Sequence, residues 1–247
     1  MIIESRRALV TGAGSGIGFA IAKKLIASGV HVIATDISAD GLKVIEDAGA
    51  TTIVADLASP DDRQRVISSG QGVDFLVQAA GLIRFRAIDE IEPSDWHDVF
   101  SVNAEAVFFL CQGIGPSMTP GGAIVNMSSS SAKLTNTTEV AVYAASKAAV
   151  LSITRSFAYE LAAVPITVNA VCPGVIDTPM QETFLEEVAA LRGTTPQELS
   201  DVRNAIVPLG RSASPDELAG LVEFLLSTPG SYMTGQAINY DGGLVTW

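Results

Sequence analysis

Short runs of apolar, often β-branched residues recur along the chain at Ala8–Val10, His31–Thr35, Thr52–Ala55, Asp74–Val77, Ala123–Met127, Ile166–Val171 and Gln236–Tyr240. Several are continuous rather than alternating, the pattern of parallel strands covered on both faces. Between them lie stretches of helical character, among them Gly16–Ser28, Pro93–Pro116, Ala141–Leu161 and Pro215–Ser227. Pro215 followed by Asp216 and Glu217 suits a first helical turn, where acidic groups face the positive end of the helix dipole. Repeated strand–helix alternation predicts an α/β fold with a doubly wound parallel sheet of seven strands. No low-complexity linker or internal repeat divides residues 1–247, so a single domain is expected.

One interval breaks the rhythm. From Thr178 to about Gly210 no strand is evident; a helical stretch at Gln181–Leu191 is followed by Arg-Gly-Thr-Thr-Pro and a second helical stretch. An insertion beyond the C-terminal end of a strand lies where α/β sheets keep their ligand crevice. Residues 178–210 are therefore expected to form a substrate-covering lid, the plainer alternative being a surface excursion.

Composition narrows the function. A chain of 247 residues suits one large domain. Lys plus Arg number 15 against 27 Asp plus Glu, a formal net charge of −12. That balance argues against nucleic acid or an anionic membrane as a partner. Cys111 and Cys172 are too few and too far apart for a disulfide framework, and His31 and His97 cannot build a His-rich metal site. The N-terminus lacks the apolar stretch of a signal peptide, and no run of about 18 uninterrupted apolar residues exists. A reduced, metal-free, cytoplasmic protein is expected.

Directly after the first strand comes Thr11-Gly12-Ala13-Gly14-Ser15-Gly16-Ile17-Gly18, leading into a helix. Such glycines permit a tight turn and let backbone N–H groups approach a pyrophosphate at the helix N-terminus. No Gly-Lys-Ser/Thr closes the motif, which excludes a P-loop and favours a dinucleotide. Asp36 ends the second strand about 20 residues on, where a carboxylate accepts hydrogen bonds from the adenosine ribose. The same charge repels a 2′-phosphate, and neither Ser15 nor Ile37 supplies a cation for one, so NAD is expected over NADP. Further along, Tyr143-Ala-Ala-Ser-Lys147 puts a phenol and an ammonium on one helix face. The serine run Ser128–Ser131 closes the preceding strand. A hydroxyl, a phenol and a lysine there could form a general acid/base site, the cation drawing the phenol's pKa down from about 10.

These motifs together resemble the classical short-chain dehydrogenase/reductase family, over essentially the whole chain. The family's glycine motif is matched by Thr11, Gly12, Gly16 and Gly18, and its active-site pair by Tyr143 and Lys147. The resemblance implies a Rossmann-type fold with Tyr143 as acid/base, and with Lys147 lowering its pKa and holding the nicotinamide ribose. It implies a proton-relay role for Asn103 and adenine contacts at Asp56-Leu57. Ser15 and Ile17 belong to the cofactor turn, while Ile176 and Thr178, after Pro173-Gly174, are implied as nicotinamide contacts. Tyr240-Asp-Gly-Gly243 resembles the family's C-terminal strand signature. A serine is implied as the group that polarises the substrate oxygen. Spacing to Tyr143 favours Ser130, whereas alignment of the strand favours Ser129, which is chosen. The family usually has Asn-Asn-Ala-Gly after the fourth strand; here Gln78-Ala79-Ala80-Gly81 keeps the small Ala80-Gly81 but loses a bracing amide at Ala79.

The loop Leu82-Ile-Arg84-Phe-Arg86 offers two arginines that could clamp a carboxylate, or pair with Asp89, Glu90 or Glu92. Local resemblances point variously to keto-deoxy sugar acids, cyclic dihydrodiols and hydroxybutyrate. The expected substrate is therefore a small polar secondary alcohol or ketone: a sugar acid, polyol, cyclic diol or hydroxy acid. The apolar Val107-Phe-Phe-Leu110, with the family's habit, implies a homo-oligomer, tetramer or dimer. Two other readings stay open: an NADP-dependent 3-oxoacyl-type reductase, and a non-catalytic NAD-binding regulatory protein.

Overall fold

The computed structural model describes residues 5–135 and 137–247. Its elements run β1 (Arg7–Thr11), α1 (Gly16–Ala27), β2 (His31–Asp36), α2 (Ala39–Asp47), β3 (Thr51–Val54) and α3 (Pro60–Ser69). Then follow β4 (Phe75–Gln78), α4 (Pro93–Phe100), α5 (Ala106–Ile114), β5 (Ala123–Met127), α6 (Ala141–Leu161) and β6 (Thr167–Pro173). The chain closes with α7 (Pro179–Arg192), α8 (Pro196–Ala205), α9 (Pro215–Leu225) and β7 (Ala237–Tyr240). All seven strands are parallel in the order β3-β2-β1-β4-β5-β6-β7. The order reverses between β1 and β4, and that switch point opens a crevice beyond their C-terminal ends.

The continuous apolar runs are explained by two cores, one on each face of the sheet. Val10, Val77 and Val125 face Ile21, Leu25 and Leu218 of α1 and α9. Leu9, Leu76 and Ile124 face Leu110, Ile114 and Leu161 of α5 and α6. Neighbouring residues of one strand thus serve opposite cores, which leaves no position in β4 or β5 for solvent.

The expected helix over Pro93–Pro116 is not continuous. Between α4 and α5 the residues Ser101–Glu105 form a π turn, with the N–H of Ala106 donating to Ser101 O. One wide turn rotates the face presented downstream. Its buried members are Asn103 and Ala104, and the Asn103 amide leaves the helix to bond other elements. The whole run Pro93–Ser117 is long and apolar enough to cross a bilayer by length and composition, but half of that window is buried inside the fold. Two helices that the hydrophobic pattern did not single out, α2 and α3, are announced instead by caps. Ser38 accepts from Gly41 N, and Ser59 accepts from Asp62 N ahead of Pro60.

Glycine is required where β1 turns into α1. Gly12 has φ +67°, and a Cβ there would stand 2.7 Å from the backbone of Ala80, in the loop after β4. A Cβ on Gly18 would overlap the Gly12 carbonyl oxygen. The turn is therefore clamped between α1 and the β4 loop. Gly220, exposed in α9, meets nothing within 4 Å and has no such duty. Gly220→Ala is expected to stabilise the protein by about 0.5–1 kcal/mol, whereas Gly18→Ala destabilises it by ~3 kcal/mol or more. Urea unfolding midpoints check both; a stabilising Gly18→Ala would contradict the packing described.

Candidate active site

Every element that points its C-terminal end at the switch point contributes to one cleft of about 630 Å³. Its walls include Gly12, Ser15, Gly16, Ile17 and Gly18 of the glycine turn, and Asp36, Asp56 and Leu57 beyond β2 and β3. Ala80 and Gly81 follow β4; Ser129, Tyr143 and Lys147 come from the β5 end and α6; Ile176 and Thr178 follow β6. Of the residues expected from the sequence, Asn103 lies behind the wall rather than on it, and of the two candidate arginines Arg84 lines the cleft while Arg86 does not.

Asp36 does two things. One carboxylate oxygen accepts from Gly14 N at 2.9 Å and the other from Ser38 N at 2.9 Å. It thus fixes the glycine turn to the start of α2 while remaining on the cleft wall. Asp56 similarly accepts from Ala58 N at 2.9 Å. Behind it Arg63, 5% exposed, bonds the carbonyls of Leu57 and Ala58 and reaches Glu105 at 2.6 Å. At the far end, Thr178 caps α7 by accepting from Gln181 N. A Cβ on Gly16 would lie 3.3 Å from the Thr178 methyl, so the first residue of the lid segment packs over the glycine turn.

Helix α1 differs from its neighbours at its N-terminus. Ser15 makes no side-chain cap and the first turn holds no acidic residue. By contrast α8 and α9 are each closed by a full capping box. The positive end of α1 is therefore left to whatever enters the cleft, which suits a pyrophosphate.

The opposite end holds the chemistry. The Ser129 hydroxyl stands close enough to the Tyr143 phenol to draw its pKa down, and accepts from Ser131 N at 3.1 Å. Ser130 instead begins the next turn, its carbonyl accepting from Lys133 and Leu134. Lys147 is 3% exposed, with its ammonium 5.6 Å from the Tyr143 ring centre and donating to Met127 O at 2.8 Å. A Cβ on Gly81 would face this ammonium at 3.5 Å, so the glycine keeps open the space in front of it. Burial lowers Lys147 to about 8. Burial also raises the phenol, with only Ser129 drawing it down. Burial thus outweighs the lowering expected beside a cation, and Tyr143 is a protonated acid at neutral pH.

Asn103 braces this constellation. Its Oδ1 accepts from Leu82 N at 2.7 Å, and its Nδ2 donates to Leu82 O at 2.8 Å and Ser146 Oγ at 3.0 Å. Ser128 donates to the Lys147 carbonyl at 2.8 Å. The bracing amide absent at Ala79 is replaced nearby. Gln78 Nε2 donates to Asn126 Oδ1 at 3.0 Å across β4 and β5, and Ala80 N donates to Thr11 Oγ1 at 3.2 Å. Arg84 and Arg86 do find carboxylates, but Asp98 at 3.3 Å and Asp95 at 3.6 Å rather than Asp89, Glu90 or Glu92. The turn of α4 brings those two within reach.

Among the cleft residues that escaped sequence reasoning are Phe184 of α7 and Arg203 of α8. Leu199 and Arg203 lie one helical turn apart, so the buried Leu199 was the available signal that Arg203 faces inward.

Comparison with known proteins agrees with this geometry. Residues 12–245 match a family model described as enoyl-(acyl carrier protein) reductase. The chain is 36% identical to a 3-oxoacyl-[acyl-carrier-protein] reductase of Thermotoga maritima, covering 99% of this chain and 100% of that one. The chain belongs to the classical short-chain dehydrogenase/reductase family. It is 32% identical to a 2-keto-3-deoxy-L-fuconate dehydrogenase of Xanthomonas campestris, over 98% of this chain and 80% of that one. Among solved structures, the L-sorbose reductase of Gluconobacter frateurii, complexed with NADPH and L-sorbose, superposes with a TM-score of 0.90 at 30% identity, covering 100% and 99%. As a member, the protein is an oxidoreductase of secondary alcohols and ketones that works with a nicotinamide cofactor.

The buried ammonium has a measurable signature. Between pH 8 and the ordinary lysine value of 10.5 the unfolded chain holds more protons than the folded protein, so folding stability rises with pH there. Below pH 8 the full penalty applies, roughly 3 kcal/mol at ~1.4 kcal/mol per pH unit. The stability advantage of Lys147→Met over the parent is therefore expected to shrink by roughly 2–3 kcal/mol between pH 7 and pH 10. Urea unfolding at the two pH values checks this, and a difference independent of pH contradicts it.

Proposed function

We propose that the protein is an NAD-dependent dehydrogenase that interconverts a small polar secondary alcohol and its ketone. The observation that carries this reading is the meeting of Ser129, Tyr143 and the buried Lys147 on one wall of the cleft that the glycine turn enters. In the reduction direction Tyr143, protonated at neutral pH, donates its proton to the substrate carbonyl oxygen. In the reverse direction it takes the proton from the alcohol. Ser129 holds the same oxygen and offsets the charge that develops on it. Lys147 would hold the nicotinamide ribose through its remaining N–H groups, and its positive charge favours the tyrosinate that forms after proton donation. Asn103 acts through position, fixing Leu82 and thereby Gly81. A nicotinamide dinucleotide bound here accepts or supplies the hydride.

The glycine turn, Ser15 and Ile17 would hold the pyrophosphate, Asp36, Asp56 and Leu57 the adenosine, and Ala80, Gly81, Ile176 and Thr178 the nicotinamide half. NAD is favoured by Asp36, whose carboxylate shares the adenosine end with Ile37 and Asp56 and no basic side chain. The competing reading, NADP-dependent 3-oxoacyl reduction, draws on the Thermotoga relative and on neighbours solved with NADPH. The lid role of residues 178–210 draws on Phe184, Arg203 and Ile206 lining the cleft. Pairing with further copies is supported by Phe108 and Phe109 on α5 and Tyr159 on α6, all exposed. Two buried free thiols, Cys111 and Cys172, suit the reducing cytoplasm.

The reading is tested by an NAD- and NADP-coupled screen over hydroxy acids, sugar acids, polyols and cyclic diols. Turnover with NAD preferred supports it; tight NADH binding with no turnover would favour a regulatory protein. Asp36→Asn keeps an acceptor for Gly14 N and removes the charge. It is expected to shift the NAD/NADP ratio of kcat/KM by about tenfold to a hundredfold towards NADP, or ~1.4–2.8 kcal/mol. An unchanged ratio contradicts the assignment. Ser129→Ala is expected to lower kcat about a hundredfold, and Ser130→Ala less than about threefold. Equal losses would reject Ser129.

A further inference from the structure

The cleft holds three cationic side chains, and two have employment. Arg84 is paired with Asp98, and Lys147 donates to Met127 O and is the group assigned above to the nicotinamide ribose. The third is Arg203. Its guanidinium carbon sits 3.9 Å from the centre of the Phe184 ring, and Phe184 packs edge-on against Phe85 with centroids 5.7 Å apart. Phe184 also belongs to the apolar cluster against which Tyr143 packs. Arg203 thus stands over the substrate side of the cleft, one aromatic ring from the acid/base tyrosine.

Among the described residues no carboxylate pairs with it, and its buried Nε has no hydrogen-bond partner. The nearby arginine on α7 is already satisfied. Arg192 grips Glu139 with two bonds of 2.6 and 2.8 Å, consuming the carboxylate at this rim. A guanidinium stacked by its face on an aromatic ring keeps its N–H edge free, and that edge is the one that matches a planar carboxylate in two-point fashion. Burial and the charge of Arg192 push Arg203 down to about 10, the direction expected of a cation enclosed without a counter-ion. In a protein of net charge −12, with carboxylates available for pairing elsewhere, an enclosed and unpaired arginine in the cleft is an outlier.

We infer that Arg203 anchors a carboxylate on the substrate, so that the alcohol or ketone handled here is a small hydroxy or keto acid. This rests on the dehydrogenase reading and sharpens its substrate class. The anchor supplants Arg84 and Arg86, the sequence's own candidates, because their charges are met by Asp98 and Asp95. It also gives the lid a specific duty, since α8 carries the residue that registers the acid and α7 carries the ring that holds the guanidinium flat.

The test separates binding from turnover. The NAD-saturated protein is titrated with lactate, 3-hydroxybutanoate and gluconate, and with the neutral counterparts methyl lactate, methyl 3-hydroxybutanoate and sorbitol, reading Tm. At least one acid is expected to raise Tm where its neutral counterpart does not. Arg203→Met should weaken that acid's apparent affinity at least tenfold, Arg203→Lys should restore part of it, and NADH affinity by fluorescence should stay within twofold of the parent. The anchor is overturned if no acid outperforms its neutral partner, if acid binding survives in Arg203→Met, or if NADH affinity falls in parallel. In the coupled assay, acid binding without turnover of any compound rejects the dehydrogenase reading and leaves the anchor. Turnover of neutral alcohols without acid-specific binding does the reverse.

Discussion

The site is organised around one unfavourable placement, a lysine ammonium enclosed at the C-terminal edge of the sheet with a single backbone carbonyl as its hydrogen-bond partner. Water would solvate that charge far better, so the surrounding elements must hold it there. Lys147 is tied to the end of β5 through Met127, and β5 is tied back to α6 through Ser128. One residue earlier on α6, Ser146 receives the Asn103 amide, which also grips both backbone groups of Leu82. The strand end, the catalytic helix, the π turn and the β4 loop are thereby cross-tied around the ammonium. A regular helix would present a different face at Asn103, so the π turn belongs to this scheme rather than being an irregularity.

The other half of the cleft is built by close backbone approach. Gly12 touches the Ala80 backbone, Gly18 rides on Gly12, and Asp36 holds Gly14. The result is a helix N-terminus left uncapped and facing the cleft. Two electrostatic features thus share one crevice: a positive helix end for phosphates, and a buried cation beside a phenol. The lid segment joins them, packing Thr178 over the glycine turn while Phe184 reaches the Tyr143 side.

Most of the fold was legible because parallel strands buried on two faces leave uninterrupted apolar runs, and all seven runs in the sequence coincide with strands to within a residue or two. The glycine turn, Asp36, Tyr143 and Lys147 were legible because their chemistry depends on spacing within one element or across one turn. What spacing could not convey was tertiary. The π turn depends on what Asn103 bonds 21 residues away, and Gln78 replaces a missing brace only because β5 places Asn126 beside it. The partners of Arg84 and Arg86 changed for the same reason, and Arg203 gains meaning only when α8 folds over the cleft. The expected lowering of Tyr143 is outweighed by burial, which a four-residue spacing does not reveal.

The central claim is that Tyr143 moves the proton while the rest of the cleft holds the cofactor. Tyr143→Phe removes one hydroxyl and leaves the ring in its apolar cluster, so NADH binding and turnover can be measured on the same folded variant. The account predicts NADH affinity within about threefold of the parent and a kcat lowered by roughly a thousandfold or more, ~4 kcal/mol in the barrier. A variant that binds NADH normally and retains more than about a tenth of the parent's turnover would contradict it.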